Sequence, residues 1–517
     1  MNDSKTLALK KIVFIVGGIL LFLFMLMLPP PAGVSPEGQR MAAVVLLMAL
    51  WWISEAVPMA VTALLPLVLY PLLGILPSKE VAPNYTNHLV FLFLGGFMIA
   101  LAMERWNFHK RIALFIIRAI GTNPSRIVLG FMVATAFLSM WISNTASTMM
   151  LLPVAMAVVR QVASHVTWNG DSEGYSPQVV EQNLGLTLML GLAYSASIGG
   201  VGTLIGTAPN IIFAGFYKTS FPDQPEITFF RWMIFAVPVV IIFLPLVWLY
   251  LCRFVCQVPL DKLELGEGAR QVIAKEYQAL GKMSRAERFV AGVFLTSAML
   301  WIFRQPIALG LFTIPGWSSL FPWPEYLHDS TVAMAMGLLL MIFPLGFPNG
   351  MERDGKKEFF ALDWQTVNDR VPWGILLLFG GGFALAAGFK QTGLDLWIGQ
   401  QLSALGEYPL WLVVLGVCLG LTFLTEFTSN TATATMILPI IGGAALAAEV
   451  HPLLLMVPAT ISASFAFMMP VATPPNAIVF GSGWVTIPQM AKAGLALNFI
   501  GAMLVTALTL FIVQSFI

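Results

Sequence analysis

Residues 143–153 read SNTASTMMLLP and residues 429–439 read SNTATATMILP. Seven of the eleven aligned positions are identical, and both copies end on a proline, Pro153 and Pro439. Each copy interrupts a long apolar region. A spanning helix has no need of a polar Ser-Asn-Thr tripeptide. A site that strips water from a solute or ion does, and chains built from repeats place such sites on interrupted helices near the membrane midplane. Any fold for this chain must therefore bring two equivalent polar breaks to comparable depth.

The surrounding composition makes that depth a membrane. Of 517 residues, 58% are hydrophobic and only 10% are charged, against roughly 25% charged in soluble domains. Spans of about 20 apolar residues are expected at 12–29, 41–57, 58–76, 88–104, 184–217, 230–252, 287–303, 329–345, 372–389, 453–480 and 494–517. The two SNT-bearing stretches, 123–160 and 411–449, are expected to enter and leave by one side. The expectation is an all-α polytopic membrane protein with 11 transmembrane helices plus two re-entrant helical hairpins. The first apolar run, 12–28, is longer than the ~7–15 residues of a signal-peptide core and reads as a span.

Loop charge sets the orientation. With the N-terminus in the cytoplasm, this topology puts 21 Lys and Arg inside and 6 outside, as the positive-inside rule requires. Making either interrupted stretch a full span inverts everything after it and weakens the bias. The C-terminus is then outside. The net charge of +1 argues against a nucleic-acid partner.

The duplication extends beyond SNT. Ser143 and Ser429 differ by 286, as do the Gly-Gly-Phe triplets starting at Gly95 and Gly381, and Ala100 and Ala386. The spans 88–104 and 372–389 run in opposite directions under the topology above, so the repeat is inverted. The first hairpin then opens to the cytoplasm and the second to the outside. A third pair, 206–210 (GTAPN) and 472–476 (ATPPN), is offset by 266. The polar stretch 164–183, expected as a cytoplasmic loop, accounts for the 20 extra residues in the first half.

Proline breaks the helical ladder, and irregular backbone at membrane depth survives only when buried in protein or lining a cavity. Each half thus offers a hairpin tip and a broken helix. The helix after each SNT presents free N–H groups and a positive dipole end to an anion, while loop carbonyls suit hard cations. No Lys or Arg occurs in 127–159, 185–217 or 391–475. Two helix N-termini supply about half a charge each, too little for a dianion, so bound cations are the natural remainder.

Other polar residues carry less. Glu426, three residues before Ser429, reads first as a structural group bonding backbone donors in the hairpin, and otherwise as an anchor behind the site or a proton acceptor. Glu55 has no counterpart at the 286 offset and reads as a structural contact. The pair Cys252 and Cys256 reads as incidental, and the mixed-charge stretch 257–286 as a solvated cytoplasmic helix. The five histidines show no metal-ligand spacing, and there is no HExxH, GxSxG, P-loop or nucleotide fingerprint. An enzyme is not expected.

The paired SNT motifs, the run ASFAFMMPVATPPNAIVFG at 463–481, and EAVP at 55–58 followed by TALLP at 62–66 resemble the divalent anion/sodium symporter family, the INDY-type carboxylate transporters. The resemblance covers most of the chain. It implies a homodimer in a bacterial inner (plasma) membrane, with scaffold and transport domains working as an elevator. Residues 1–112 and 287–400 would be scaffold, 113–252 and 401–517 transport, and 253–286 a cytoplasmic linker. Carried over residue by residue, the first sodium (Na+) site would use Ser139, Ser143, Asn144 and Gly206, and the second Thr425, Thr428, Asn430 and Ala472. A C4-dicarboxylate would sit between Ser143-Asn144-Thr145 and Ser429-Asn430-Thr431, beside Thr473 and Pro474. Two departures stand out: Thr428 where a small alanine is frequent, and Ala208 in place of the first proline of GTPPN. A dicarboxylate exchanger, a sulfate or tricarboxylate carrier and an anion channel are the alternative readings.

Overall fold

The computed structural model describes all residues except 1, 122, 165, 169–174, 261–262, 266–267, 309–311, 347–350, 354–355 and 517. The expected cytoplasmic loop 164–183 and the stretch 257–286 each fall partly outside the described residues. Among the described residues the fold is helical, with three two-stranded antiparallel ribbons in the connections.

Among the described residues, seven helices are long and apolar enough to cross a membrane: Ala8–Met27, Ser78–Arg105, Asn144–Ser164, Phe229–Val255, Trp373–Thr392, Asn430–Ala447 and Ile487–Ile512. Shorter apolar helices cover Met59–Leu72, Pro124–Ser139, Asp329–Ile342, Leu410–Thr425 and Leu453–Ser462. Each of the eleven expected spans overlaps helical backbone, but not all are continuous. The stretch 58–76 is split into Met59–Thr62 and Leu65–Leu72. Pro66 opens the second piece and Pro71 lies inside it, each removing a backbone donor.

The repeat reappears in the helix boundaries. Pro124–Ser139 and Leu410–Thr425 correspond end to end at an offset of 286, and the helices after them open at Asn144 and Asn430. The short helices Phe108–Ile120 and Leu394–Gln401 also begin 286 apart, each entered through a left-handed residue, Asn107 (φ 58°) and Gly393 (φ 65°). Beyond the tips, the offset drops to 266. Pro177–Gly200 breaks before Ala208–Ser220, and Leu453–Ser462 breaks before Pro474–Phe480. Each half thus folds as a two-helix hairpin packed on a broken helix.

Glycine sets the closest contacts. Gly95 packs on the backbone of Ala333, where an added Cβ would lie 2.4 Å from a carbonyl carbon, and Gly381 packs on Ala63, with a Cβ 2.6 Å from its carbonyl oxygen. The conspicuous Gly-Gly-Phe pair is therefore a packing device in both halves. The core runs through both hairpins and both broken helices. A second cluster joins Pro36–Ser54 to Trp373–Thr392 and Leu394–Gln401. The N-terminal helix packs mainly on Pro36–Ser54, and only 11% of its apolar window is buried, so most of it faces away from the protein.

Candidate functional site

The first hairpin turns at 140–143. Ser143 Oγ accepts from the Ala146 N–H (3.2 Å) and so caps the returning helix, as Ser commonly does. Ser147 and Thr148 donate to the Asn144 carbonyl (3.0 and 2.8 Å), and the Ser139 and Ser147 hydroxyls are 2.6 Å apart. Thr203 of the broken helix donates to the Met140 carbonyl at 2.5 Å, tying the tip to the break.

Oxygen atoms converge behind this tip. Asn144 Oδ1 is buried and, among the described residues, has no partner. A Cβ at Gly200 would lie 2.6 Å from it. A Cβ at Gly206 would lie 2.3 Å from the Gly200 carbonyl oxygen and 2.9 Å from that of Ser139. Only glycine leaves this space open, and the surrounding donor set is oxygen, the chemistry of a hard monovalent or divalent cation.

The second tip is held by different hydroxyls and a different set of bonds. Thr425 Oγ1 lies 2.7 Å from Asn430 Oδ1 and 2.9 Å from the Ala463 carbonyl oxygen, with one proton to share between two acceptors. Thr428 donates to the Leu424 carbonyl (2.9 Å) and its hydroxyl is 2.6 Å from that of Thr433. Ser429 occupies the cap position without a side-chain cap bond. Thr473 caps Pro474–Phe480 through the Asn476 N–H (3.3 Å).

Glu426 sits behind this tip and is buried. Its carboxylate accepts from the backbone N–H groups of Phe467 (2.7 Å), Met468 (2.9 Å) and Met469 (3.1 Å), and from Asn498 Nδ2 (2.9 Å). The structural reading holds, but the donors belong to the broken helix rather than to the hairpin. The turn at 467–469 aims its N–H groups at the base of the second tip, at the position Met140 holds in the first.

Both tips and both breaks meet at a cavity of about 680 Å³. Ser143, Asn144, Thr145, Gly206, Thr428, Ser429, Asn430, Thr431, Ala472, Thr473 and Pro474 line it, whereas Ser139 and Thr425 stand behind its wall. Gly96, Phe97 and Ala100 face it from one flank, and Ile375 and Leu378 from another. Helices starting at Asn144, Ala208, Asn430 and Pro474 all turn their first residues to it. Among the described residues, no Lys or Arg lines it.

Among the described residues, the one charged residue in the wall is Glu55, which sequence reasoning read as a structural contact. It caps Pro36–Ser54 in a left-handed conformation (φ 48°) and makes no hydrogen bond or ion pair among the described residues. Such backbone is costly for a residue with a Cβ, and it turns the carboxylate out of the helix register that sequence alone suggests.

A helical membrane protein whose polar cavity is closed by two helix–turn–helix tips and two broken helices is built as a membrane transporter. Its fold is that of solved transporters of low sequence similarity: YdaH of Alcanivorax borkumensis (TM-score 0.55, 13% identity, 84% of this chain and 88% of that one) and MtrF of Neisseria gonorrhoeae (TM-score 0.56, 11% identity, 97% and 94%). Residues 9–514 match the family described as the sodium:sulfate symporter transmembrane region. The chain belongs to that family, the divalent anion/sodium symporters, and is a transporter rather than an enzyme. It is 42% identical over 513 residues to the sodium-dependent dicarboxylate transporter SdcS of Staphylococcus saprophyticus, covering 99% of this chain and 93% of that protein. The corresponding protein of Staphylococcus aureus is 41% identical over 504 residues, covering 98% and 91%.

Proposed function

We propose that this chain is a sodium-coupled symporter of C4-dicarboxylates such as succinate, malate or fumarate, working by an elevator mechanism. The observation that carries the reading is a cavity walled by both SNT tips and, among the described residues, lined by no cationic side chain. Four helix N-termini face it, at about half a charge each, but one belongs to a helix of only seven residues and Glu55 subtracts a full charge. The protein's own field therefore falls short of a dianion's two charges. Sodium ions, the co-transported cargo, supply the difference.

The anion would lie between Ser143-Asn144-Thr145 and Ser429-Asn430-Thr431, beside Thr473 and Pro474. One sodium would use Ser139, Ser143, Asn144 and Gly206; the unpartnered Asn144 Oδ1 and the space over Gly206 support this. The other would use Thr425, Thr428, Asn430 and Ala472, where the closely set oxygens of Thr425 and Asn430 support it. Coupling is then reciprocal: sodium completes the anion site, and the anion favours sodium by the same free energy. The names of the staphylococcal relatives support both solutes.

The same reading assigns 1–112 and 287–400 to a scaffold that holds a second copy of the chain, and 113–252 and 401–517 to a moving transport part. It spans a bacterial inner membrane eleven times, N-terminus inside and C-terminus outside, with the two hairpins re-entrant from opposite sides.

The test is uptake of labelled succinate into proteoliposomes. An inward sodium gradient is expected to drive accumulation. Uptake indifferent to sodium but dependent on internal dicarboxylate overturns symport in favour of exchange, and flux at channel rates overturns alternation.

A further inference from the structure

His88, Glu226 and His328 come from three distant parts of the chain and converge at one point. His88 opens the helix His88–Arg105, and His328 immediately precedes Asp329–Ile342. These two helices pack closely through Gly95 and Ala333. Glu226 lies in the connection between Ala208–Ser220 and Phe229–Tyr250. His88 Nε2 is 3.7 Å from Glu226 Oε1, and His328 Nδ1 is 3.5 Å from Glu226 Oε2. The two imidazoles stack at 4.7 Å between centroids. One ligand atom from each residue can be chosen so that all three lie within 4.8 Å of one another.

Both ring nitrogens are buried and, among the described residues, neither has a hydrogen-bond partner. Two inward-facing nitrogens left in that state cost free energy, and a ligand that takes both removes the cost. Glu226 offers one carboxylate oxygen to each of these nitrogens, at 3.7 and 3.5 Å, beyond hydrogen-bond length but within reach of a shared ion. Arg304 engages Asp329 Oδ1 through Nε (2.6 Å) and the Leu327 carbonyl through Nη1 (2.6 Å), while its Nη2 stands 3.6 Å from Glu226 Oε2.

We propose that His88, Glu226 and His328 form a binding site for a divalent transition-metal ion of the zinc class, bridging the paired helices to the 221–228 connection. Two imidazoles and a carboxylate make the donor set of an open zinc site, with bond lengths near 2.0–2.2 Å and a fourth position for water. The present separations are reached from such a site by movements of about 1 Å. Imidazole nitrogen selects zinc, cobalt or nickel over magnesium and calcium.

One consequence rests on the elevator reading above. His88 and His328 then stand on the scaffold and Glu226 on the transport part, so the metal tethers what must move, and bound zinc inhibits transport.

The experiment measures binding and transport separately on the purified full-length protein. Cobalt(II) titration is expected to give a visible tetrahedral spectrum with one ion per chain, displaced by zinc and unaffected by excess calcium. Affinity is expected to fall at least about tenfold in each of His88→Ala, His328→Ala and Glu226→Gln. Variants are accepted on monodispersity and on metal-free, sodium-dependent uptake. Absence of the spectrum in the wild-type protein overturns the site. So does binding unchanged by all three substitutions, which would put the ion elsewhere, for instance at Cys252 and Cys256. Micromolar zinc is expected to inhibit wild-type uptake, reversibly by chelator, and not that of His88→Ala. Zinc bound with full uptake leaves the site standing and overturns the tether, and with it the assignment of these three residues to different moving parts.

Discussion

Asn210 and Asn476 do the same work in the two halves of the chain. Each carboxamide nitrogen reaches back to carbonyls ten and seven residues earlier: Gly200 (3.3 Å) and Thr203 (2.7 Å) for Asn210, Ala466 (3.1 Å) and Met469 (3.0 Å) for Asn476. Asn210 adds the Val201 carbonyl at 3.2 Å. The backbone freed at each helix break is thus satisfied by the side chain that follows it. Breaks of this kind persist in a membrane only when such groups find partners.

Truncating either asparagine is therefore expected to destabilise the protein by about 1–3 kcal/mol. Asn210→Ala should be the more severe, because three carbonyls lose their donor rather than two. Thermal unfolding in detergent measures this. Equal melting of both variants and wild type would mean that water replaces the carboxamide.

Glu426→Gln tests the second anchor. A neutral amide must turn its NH2 group toward some of the donors the carboxylate now accepts. A loss of about 2–3 kcal/mol is expected from the charge-assisted bonds to 467–469. The same substitution should lower sodium-dependent uptake, because the break that carries Ala472 and Thr473 loses its support. A variant that melts with the wild type would show that Glu426 is not ionised in its place.

Much of this arrangement was legible in the sequence because the repeat keeps a constant offset. Ser139 and Thr425, Asn144 and Asn430, and Asn107 and Gly393 all sit 286 apart, and all six fall at matching structural positions. The left-handed pair Asn107 and Gly393 went unread, although both residue types tolerate that conformation and the offset was available. Glu55 was misread because its direction depends on a left-handed turn that no local pattern announces. The cluster at His88, Glu226 and His328 has no sequence signature, since its members are brought together only by the packing of Gly95 on Ala333 and the return of the 221–228 connection.

Glu55 places a negative charge in the wall of a cavity proposed to hold a dianion. Glu55→Gln is expected to tighten anion binding on the order of 1 kcal/mol, roughly a fivefold lower KM for succinate. The effect should shrink as ionic strength rises, since exposed charges are screened beyond about 10 Å at 0.1 M. A KM that rises instead would make Glu55 a contact that positions the substrate.

His109 opens a pH dependence of stability. It is buried at the start of Phe108–Ile120, with Nδ1 3.0 Å from the Met103 carbonyl oxygen. Burial pushes it down from 6.5 to about 4. The unfolded chain then binds the extra proton between these values, so the neutral-state contribution is complete above about pH 6.5 and is lost as pH falls toward 4. The full swing is on the order of 3 kcal/mol. Melting temperatures at pH 5 and 7.5 should differ more for wild type than for His109→Asn, which keeps an N–H donor and cannot be protonated.

The first oxygen cluster separates stability from sodium use. Asn144 Oδ1 is buried without a partner among the described residues, so removing it deletes a desolvated group rather than a bond. Asn144→Ala is therefore expected to melt at or above the wild-type temperature without sodium. Its half-saturating sodium concentration should nevertheless rise about tenfold or more, equivalent to ~1.4 kcal/mol of lost ion binding. Gly206→Ala should act on the same ion by filling its space, because the new methyl would lie 2.3 Å from the Gly200 carbonyl oxygen and 2.9 Å from that of Ser139. That substitution costs stability as well, so the two variants distinguish a lost ligand from a blocked cavity. If Asn144→Ala keeps wild-type sodium dependence, the ion does not use this carboxamide, and the first sodium site must be drawn elsewhere.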